Sequence, residues 1–202
     1  NYYQNFNIVK NSKVTALLPM KGNSERVPNK NIRLLNGKPV CHWIIESLSQ
    51  SKYINEIIIN TDSLKIKEIV ADFEMVKVID RPDYLIGDAV SIQPLIAHDI
   101  EHAKNEYIFQ THSTNPLLTT ETIDKAIETY FENIEKHDAL FSVTPFQQRF
   151  YFKNGKPVSH DPDCLIQTQL LDPIYHENSC MYIFSRETNR KVKNRLGKNP
   201  FF

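Results

Sequence analysis

Short apolar runs alternate with amphipathic helical patterns along most of the chain, and this alternation limits the folds available to it. Segments 14–18 and 56–60 are dominated by aliphatic residues, as is typical of strands buried on both faces of a parallel sheet. Segments 91–103 and 120–136 place apolar residues at helical spacing. Repeated strand–helix units predict an α/β fold, a Rossmann-like three-layer sandwich with a mostly parallel sheet.

The strand–helix rhythm stops at 145–177. In this segment Asn154-Gly155 is a strong hairpin signal, and the aromatic run Phe150-Tyr151-Phe152 precedes it. We therefore predict a single domain over 13–202 with a small hairpin insertion that serves as a dimerisation arm. The polar residues 1–12 are predicted to be a lead-in segment.

The first strand ends in a loop that combines small residues with positive charge. Ligands of parallel sheets bind where the strands end, so this loop at 19–33 is a candidate site. It contains Gly22-Asn23-Ser24 and the cations Lys21, Arg26, Lys30 and Arg33. Small residues let backbone N–H groups approach phosphate oxygens, and the cations neutralise them. The pattern favours a triphosphate site, although it lacks a Walker sequence, and the alternative is a solvated basic loop.

The bulk composition excludes several other classes of protein. Lys+Arg and Asp+Glu both total 24, so the net charge gives no indication of nucleic-acid or membrane binding. The three cysteines lack zinc spacing, and we expect reduced thiols in a cytoplasmic protein. No apolar run approaches the ~20 residues of a membrane span.

Several segments match, in order, those of one enzyme family. They are PMKGNSERVPNKN at 19–31, IIINTD at 57–62, Arg81-Pro82 with Asp88 and Ser91, HSTNPL at 112–117, ENSCMYIF at 177–184 and NPFF at 199–202. With them the chain resembles the CMP-sugar-acid synthetases, the acylneuraminate cytidylyltransferases and their relatives for pseudaminic, legionaminic and ketodeoxyoctonic acids. The resemblance implies the fold of nucleotide-diphospho-sugar transferases and the transfer of CMP from CTP to a 2-keto-3-deoxy sugar acid.

The resemblance also assigns roles to residues. It implies that Lys21, Arg26 and Lys30 are catalytic and stabilise charge on the triphosphate. The nucleotide-binding candidates are Leu18, Met20, Lys21, Gly22, Asn23, Ser24, Lys30, Asn31, Arg81 and Ser91. The sugar-binding candidates are His112, Thr114, Asn115, Asn178, Tyr182, Phe201 and Phe202. For Tyr182 the alternative is a plain core position, since it lies within an apolar strand pattern.

The chain departs from the family pattern at informative positions. Lys21 replaces the arginine of the first motif, which keeps the charge but loses the bidentate fork. His112 replaces a glutamine. The family implies Mg²⁺ held by a later acidic motif, which is not among these residues, so the metal ligands stay unassigned. Asp62 fits either a metal ligand or a helix cap. A sugar-phosphate nucleotidyltransferase and a nucleotide-binding homologue without turnover remain alternatives.

Overall fold

The structure is a computed structural model that describes residues 12–22, 27–87 and 89–202. The strands are β1 Val14–Leu17, β2 Leu34–Leu35, β3 Lys38–Pro39, β4 Ile54–Thr61, β5 Val76–Asp80, β6 Tyr107–Thr111, β7 Ala139–Phe146, β8 Ile174–Ser185 and β9 Pro200–Phe201. The helices are α1 Val40–Ser49, α2 Leu64–Val70, α3 Ile92–Glu101, α4 Thr120–Asn133 and α5 Arg186–Val192. Apart from residue 12, the predicted lead-in lies outside the described residues.

Within the described residues, seven strands form one sheet in the order β5-β4-β1-β6-β8-β7-β9. Strand β1 pairs in parallel with β4 and with β6, and β4 pairs in parallel with β5. Strand β8 runs antiparallel to β6, with Tyr182 opposite Gln110. The predicted mostly parallel sheet is confirmed, and β8 is its antiparallel member.

Helices cover both faces of this sheet, because neighbouring strand residues point to opposite sides. Ala16, Ile57 and Phe109 belong to a core that includes buried residues of α1, α2 and α4. Leu17, Ile58 and Ile108 belong to a second core with Ile96 and Ile100 of α3. Two cores on opposite faces make a three-layer sandwich, as the sequence predicts. No helix among the described residues is both long enough and apolar enough to cross a bilayer.

The chain divides into two compact units. The larger one holds the residues up to Phe141 together with Cys180–Phe202, and the smaller one is Ser142–Ser179, which contains the predicted insertion at 145–177. In the smaller unit the chain reverses at Asn154-Gly155, where Phe152 N–H donates to Lys156 O at 2.8 Å. Gly155 has φ +81°, which explains the glycine at this turn.

Candidate active site at the carboxyl edge of the sheet

The parallel strands of the larger unit deliver four chain segments to one edge of the sheet. The segments that follow β1, β4, β5 and β6 all begin at the same edge of the sheet, because these strands are neighbours and run in parallel. A cleft of about 190 Å³ opens there. It is lined by Pro19, Lys21, Arg81, Leu85, Gly87, Val90, Ser91, Ile92, Leu95 and His112. The fold therefore brings together four of the predicted site residues, Lys21, Arg81, Ser91 and His112.

The chain leaves β1 in a tightly held conformation. Leu18 and Met20 are buried, and their N–H groups donate to Ile58 O and Asn60 O, each at 2.9 Å. These two N–H groups are therefore engaged with β4 and are not free to donate to a ligand. Asn23, Ser24 and Arg26 lie outside the described residues.

Gly22 meets the end of β4 at close range. Its N–H donates to Asp62 Oδ1 at 2.6 Å. A Cβ at Gly22 would lie 2.8 Å from Ser63 Cβ, so only glycine fits without a shift. Asp62 therefore anchors the loop, while Ser63 caps α2 by accepting from Ile66 N–H at 3.3 Å. The sequence left two alternatives for Asp62, a metal ligand and a helix cap. Its observed contact, the hydrogen bond that it accepts from Gly22, is neither of these.

Asn31 joins two of the loops. It is buried, its Nδ2 donates to Lys21 O at 2.8 Å, and its Oδ1 accepts from Ser113 Oγ. The amide thus connects the segment after β1 with the segment after β6. Its neighbour Lys30 lies close enough to His112 for its charge to lower the pKa of the imidazole.

Arg81 is fixed by the end of β4. Its Nε donates to Asn60 Oδ1 at 2.8 Å, and a terminal nitrogen donates to Asn60 O at 3.1 Å. Burial lowers the pKa of Arg81, while the nearby Asp62 and Asp99 act in the opposite direction. Ser91 precedes α3 and lines the cleft, is exposed, and makes no capping hydrogen bond through its side chain.

His112 is held as a neutral imidazole. Burial, followed by the charges of Arg195 and Lys30, lowers the pKa of His112 to about 4. Arg195 is a buried residue that the sequence analysis did not predict. Its guanidinium lies 3.6 Å above the ring of Tyr182 and donates to Gln110 Oε1 at 2.7 Å. Tyr182 is fully buried beneath it, which supports the core alternative over sugar contact.

The other predicted sugar-binding residues are placed differently from one another. Thr114 is exposed beside His112, whereas Asn115 braces its loop by donating to Thr111 Oγ1 at 3.2 Å and Cys180 O at 3.1 Å. Phe201 packs edge-on against His137, and Phe202 stacks on Phe141. Asn178 belongs to the smaller unit, where its amide bonds Ser142 and Thr144.

The described side chains do not provide a cation site. Over 12–22, 27–87 and 89–202, no three His, Cys, Asp or Glu residues come together as metal ligands. Among the described carboxylates, Asp62 contacts the loop, where it accepts a hydrogen bond from Gly22. Mg²⁺ is usually held by one or two carboxylates together with substrate phosphates, and the described residues do not assign the protein ligands of the Mg²⁺ that the family implies.

The fold and the basic cleft at its carboxyl edge define a nucleotidyltransferase. The cytidylyltransferase family model matches residues 15–200, so the chain belongs to the cytidylyltransferase family. The resemblance to the CMP-sugar-acid synthetases is confirmed.

Two relatives and one solved structure illustrate the similarity. The chain is 26% identical to pseudaminic acid cytidylyltransferase of Campylobacter jejuni, over 83% of this chain and 76% of the relative. It is 24% identical to N-acylneuraminate cytidylyltransferase of Streptococcus agalactiae, over 90% of this chain but 45% of that protein. The structure of CMP:2-keto-3-deoxy-manno-octonic acid synthetase complexed with CTP matches with a TM-score of 0.69 at 14% identity, covering 90% of this chain and 78% of that one.

The neutral state of His112 makes stability depend on pH. Between the ordinary pKa of 6.5 and the folded pKa of about 4, the unfolded chain binds one more proton than the folded chain. The free energy of unfolding of the wild type should therefore fall, relative to His112→Gln, as the pH drops from 7 to 5, by roughly 2 kcal/mol. Urea unfolding of both proteins at the two pH values measures this, and an NMR titration midpoint near 6.5 for His112 would contradict it.

Proposed function

We propose that the protein transfers CMP from CTP to a 2-keto-3-deoxy sugar acid, N-acylneuraminate or a related nonulosonic acid such as pseudaminate or legionaminate, and releases pyrophosphate. The observation that carries this proposal is the cleft in which Lys21 and Arg81 meet at the carboxyl ends of parallel strands. Membership of the cytidylyltransferase family supports CTP as the nucleotide substrate. The names of the relatives cited above support a sugar acid as the acceptor.

The phosphates of CTP would lie against the loop after β1. The anomeric hydroxyl oxygen of the sugar acid attacks the α-phosphorus, its proton passes to water, and the bond from phosphorus to the pyrophosphate oxygen breaks. The protein contributes position and charge, since little covalent work is needed. Lys21 stabilises the negative charge that develops on the α-phosphate and leaving group, and Lys30 assists from the same loop. Asn23, Ser24 and Arg26 are proposed to complete this grip on the phosphates.

The cytidine would lie toward Arg81 and Ser91. Cytosine presents O2 and N3 as acceptors, and an arginine carries five N–H donors, of which Arg81 gives two to Asn60. Its remaining donors can therefore reach the base, while the hydroxyl of Ser91 can reach the base or the ribose. The acceptor sugar would approach from the side of His112 and Thr114.

An assay of pyrophosphate release tests the proposal. CTP is supplied with magnesium and with a panel containing N-acetylneuraminate, pseudaminate, legionaminate, ketodeoxyoctonate and a sugar 1-phosphate. Turnover with one of the sugar acids supports the proposal. Turnover only with the sugar phosphate, or only with UTP or ATP, would overturn it. Calorimetric CTP binding without product would favour the non-catalytic alternative.

We expect the charge of Lys21 to contribute to the rate of CMP transfer rather than to the stability of the fold. Lys21→Ala removes a charged contact to the reacting phosphate, and kcat should fall on the order of a hundredfold or more. Lys52→Ala, at an exposed lysine that follows α1 and lies near Asp124 of α4, is the matched control and should keep full activity. Steady-state kinetics of the two variants decide the point, and equal rates would remove Lys21 from the mechanism.

We also propose that the smaller unit is a dimerisation arm and that the protein works in the cytoplasm, where CTP is supplied and its three free thiols stay reduced. The arm exposes Tyr151, Phe152, Leu165 and Leu170, each by more than half of its surface. Within the described residues both ring nitrogens of the half-buried His160 are shielded from solvent and lack a hydrogen-bond partner. An apolar patch of this kind is typical of an interface with a second copy.

Sedimentation should accordingly give a dimer of twice 23.5 kDa, about 47 kDa. Leu170→Asp, at a position 66% exposed, should shift the protein to the monomer because it places a charge in the interface. The control is Leu64→Asp on α2, which is 74% exposed and lies in the larger unit. A wild type that sediments as a monomer at micromolar concentration, or a dimer that survives Leu170→Asp, would count against the arm.

A further inference from the structure

A buried carboxylate lies directly behind Arg81. Asp99, on α3, is completely buried, and its Oδ1 accepts from Asn60 Nδ2 at 2.6 Å. Asn60 is also completely buried, and its Oδ1 accepts from Arg81 Nε at 2.8 Å. The three side chains thus form a continuous chain of hydrogen bonds that leads from the buried side of α3 to the wall of the cleft.

The chemistry of this chain allows one orientation of the Asn60 amide. A carboxylate only accepts hydrogen bonds, and a guanidinium only donates them. The amide must therefore present its NH₂ group to Asp99 and its oxygen to Arg81. The reverse orientation would place oxygen against oxygen at one end and donor against donor at the other. Asp99 consequently determines where the acceptor for Arg81 lies.

His98 supports Asp99 from the same helix. Its Nδ1 lies 3.1 Å from Asp99 Oδ1, so this one oxygen meets both the imidazole and the Asn60 amide. The other oxygen, Oδ2, is buried and has no hydrogen-bond partner among the described residues. Burial raises the pKa of Asp99 to about 6, against the opposing effects of His98, Asn60 and Arg81.

Packing alone does not account for this carboxylate. Removing an ionised group from water costs several kcal/mol, and hydrogen bonds to one oxygen recover only part of that. An asparagine at position 99 would keep an acceptor for Asn60 without the cost of burying a charge. A carboxylate that is costly to bury and is linked through Asn60 to a cleft arginine is a candidate for a role in that cleft.

We propose that Asp99 is a positioning residue for the nucleotidyl transfer: it fixes the amide of Asn60, and through that amide it aims the guanidinium of Arg81 into the cleft. The function of the relay rests on the proposed binding of cytidine nucleotide at Arg81. Its structural part, the orientation of Arg81, is independent of that binding.

The first test follows the guanidinium without any ligand. In ¹⁵N NMR spectra of the wild type, the Arg81 Nε–H should exchange slowly with water. Asp99→Leu removes the acceptor that orients Asn60, and exchange should accelerate at least tenfold. Asp99→Asn keeps an oxygen for Asn60 Nδ2 and should largely restore the slow exchange. Unchanged exchange in Asp99→Leu would overturn the relay, whatever the protein binds.

The second test measures CTP binding by calorimetry together with urea unfolding. Asp99→Leu should weaken CTP binding about tenfold under conditions where urea unfolding shows the variant to be fully folded, and Asp99→Asn should bind more tightly than Asp99→Leu. In an Arg81→Ala background Asp99→Leu should have no further effect, because the relay acts through Arg81. The matched control is Asp124→Asn. Asp124 is a buried aspartate on α4 that accepts a hydrogen bond from Ser51 Oγ at 2.6 Å, and its replacement should leave CTP binding unchanged.

The outcomes separate the two proposals. Additive losses from Asp99→Leu and Arg81→Ala, or a loss of binding that simply follows a loss of stability, would overturn the relay while CTP binding by the wild type stands. A wild type that binds no CTP, yet shows the predicted exchange pattern at Arg81, would overturn the function and leave the orienting role of Asp99 in place.

Discussion

Parallel pairing of β1 with β4 and β6 is the constraint on which the site depends. It places the ends of three strands at one edge, so that Lys21, Asp62 and His112 follow neighbouring strands. The loops are then joined by side chains near the edge. Asp62 accepts from Gly22, and Asn31 connects Lys21 to Ser113. Without the shared direction of the strands, none of these contacts could form.

The charge of the protein is balanced overall but not in the cleft. The basic side chains there include Lys21 and Arg81 in the wall, and Lys30 and Arg195 close enough to influence His112. Burial, followed by the charges of Arg195 and Lys30, disfavours a further cation, so the imidazole of His112 is kept neutral. Under the proposed function, the phosphates of CTP would relieve the repulsion among these cations. The net charge of zero conceals this arrangement, since acids elsewhere in the chain offset the local surplus.

Much of the fold could be predicted from the sequence, because buried strands and amphipathic helices carry strong periodic signals. The core patterns around Ile57 and Ile127 are examples. The short helix α5 was missed, since its signal consists mainly of the cap Ser185, which accepts from Thr188 N–H. The loop after β1 was identified by its composition, but the roles within it depend on tertiary contacts. Asp62 anchors Gly22 from 40 positions away, and Arg195 lies over Tyr182 from 13 positions away. No local sequence pattern encodes such contacts, because they form only when the chain has folded.

The two halves of the cleft differ in how they are held, and this difference bears on how a nucleotide would be selected. Arg81 is fixed by the two hydrogen bonds that it donates to the buried Asn60, so its remaining donors are oriented before any ligand arrives. Preorganised donors lose little entropy on binding and discriminate strongly between acceptor patterns, as a base requires. Lys21 carries a compact charge at a position where the family motif has an arginine. Under the proposed function, Arg81 would supply oriented donors for the base, and Lys21 would supply a point charge for the phosphates. The replacement of a planar fork by a point charge would then bear on the phosphates and leave the recognition of the base to Arg81.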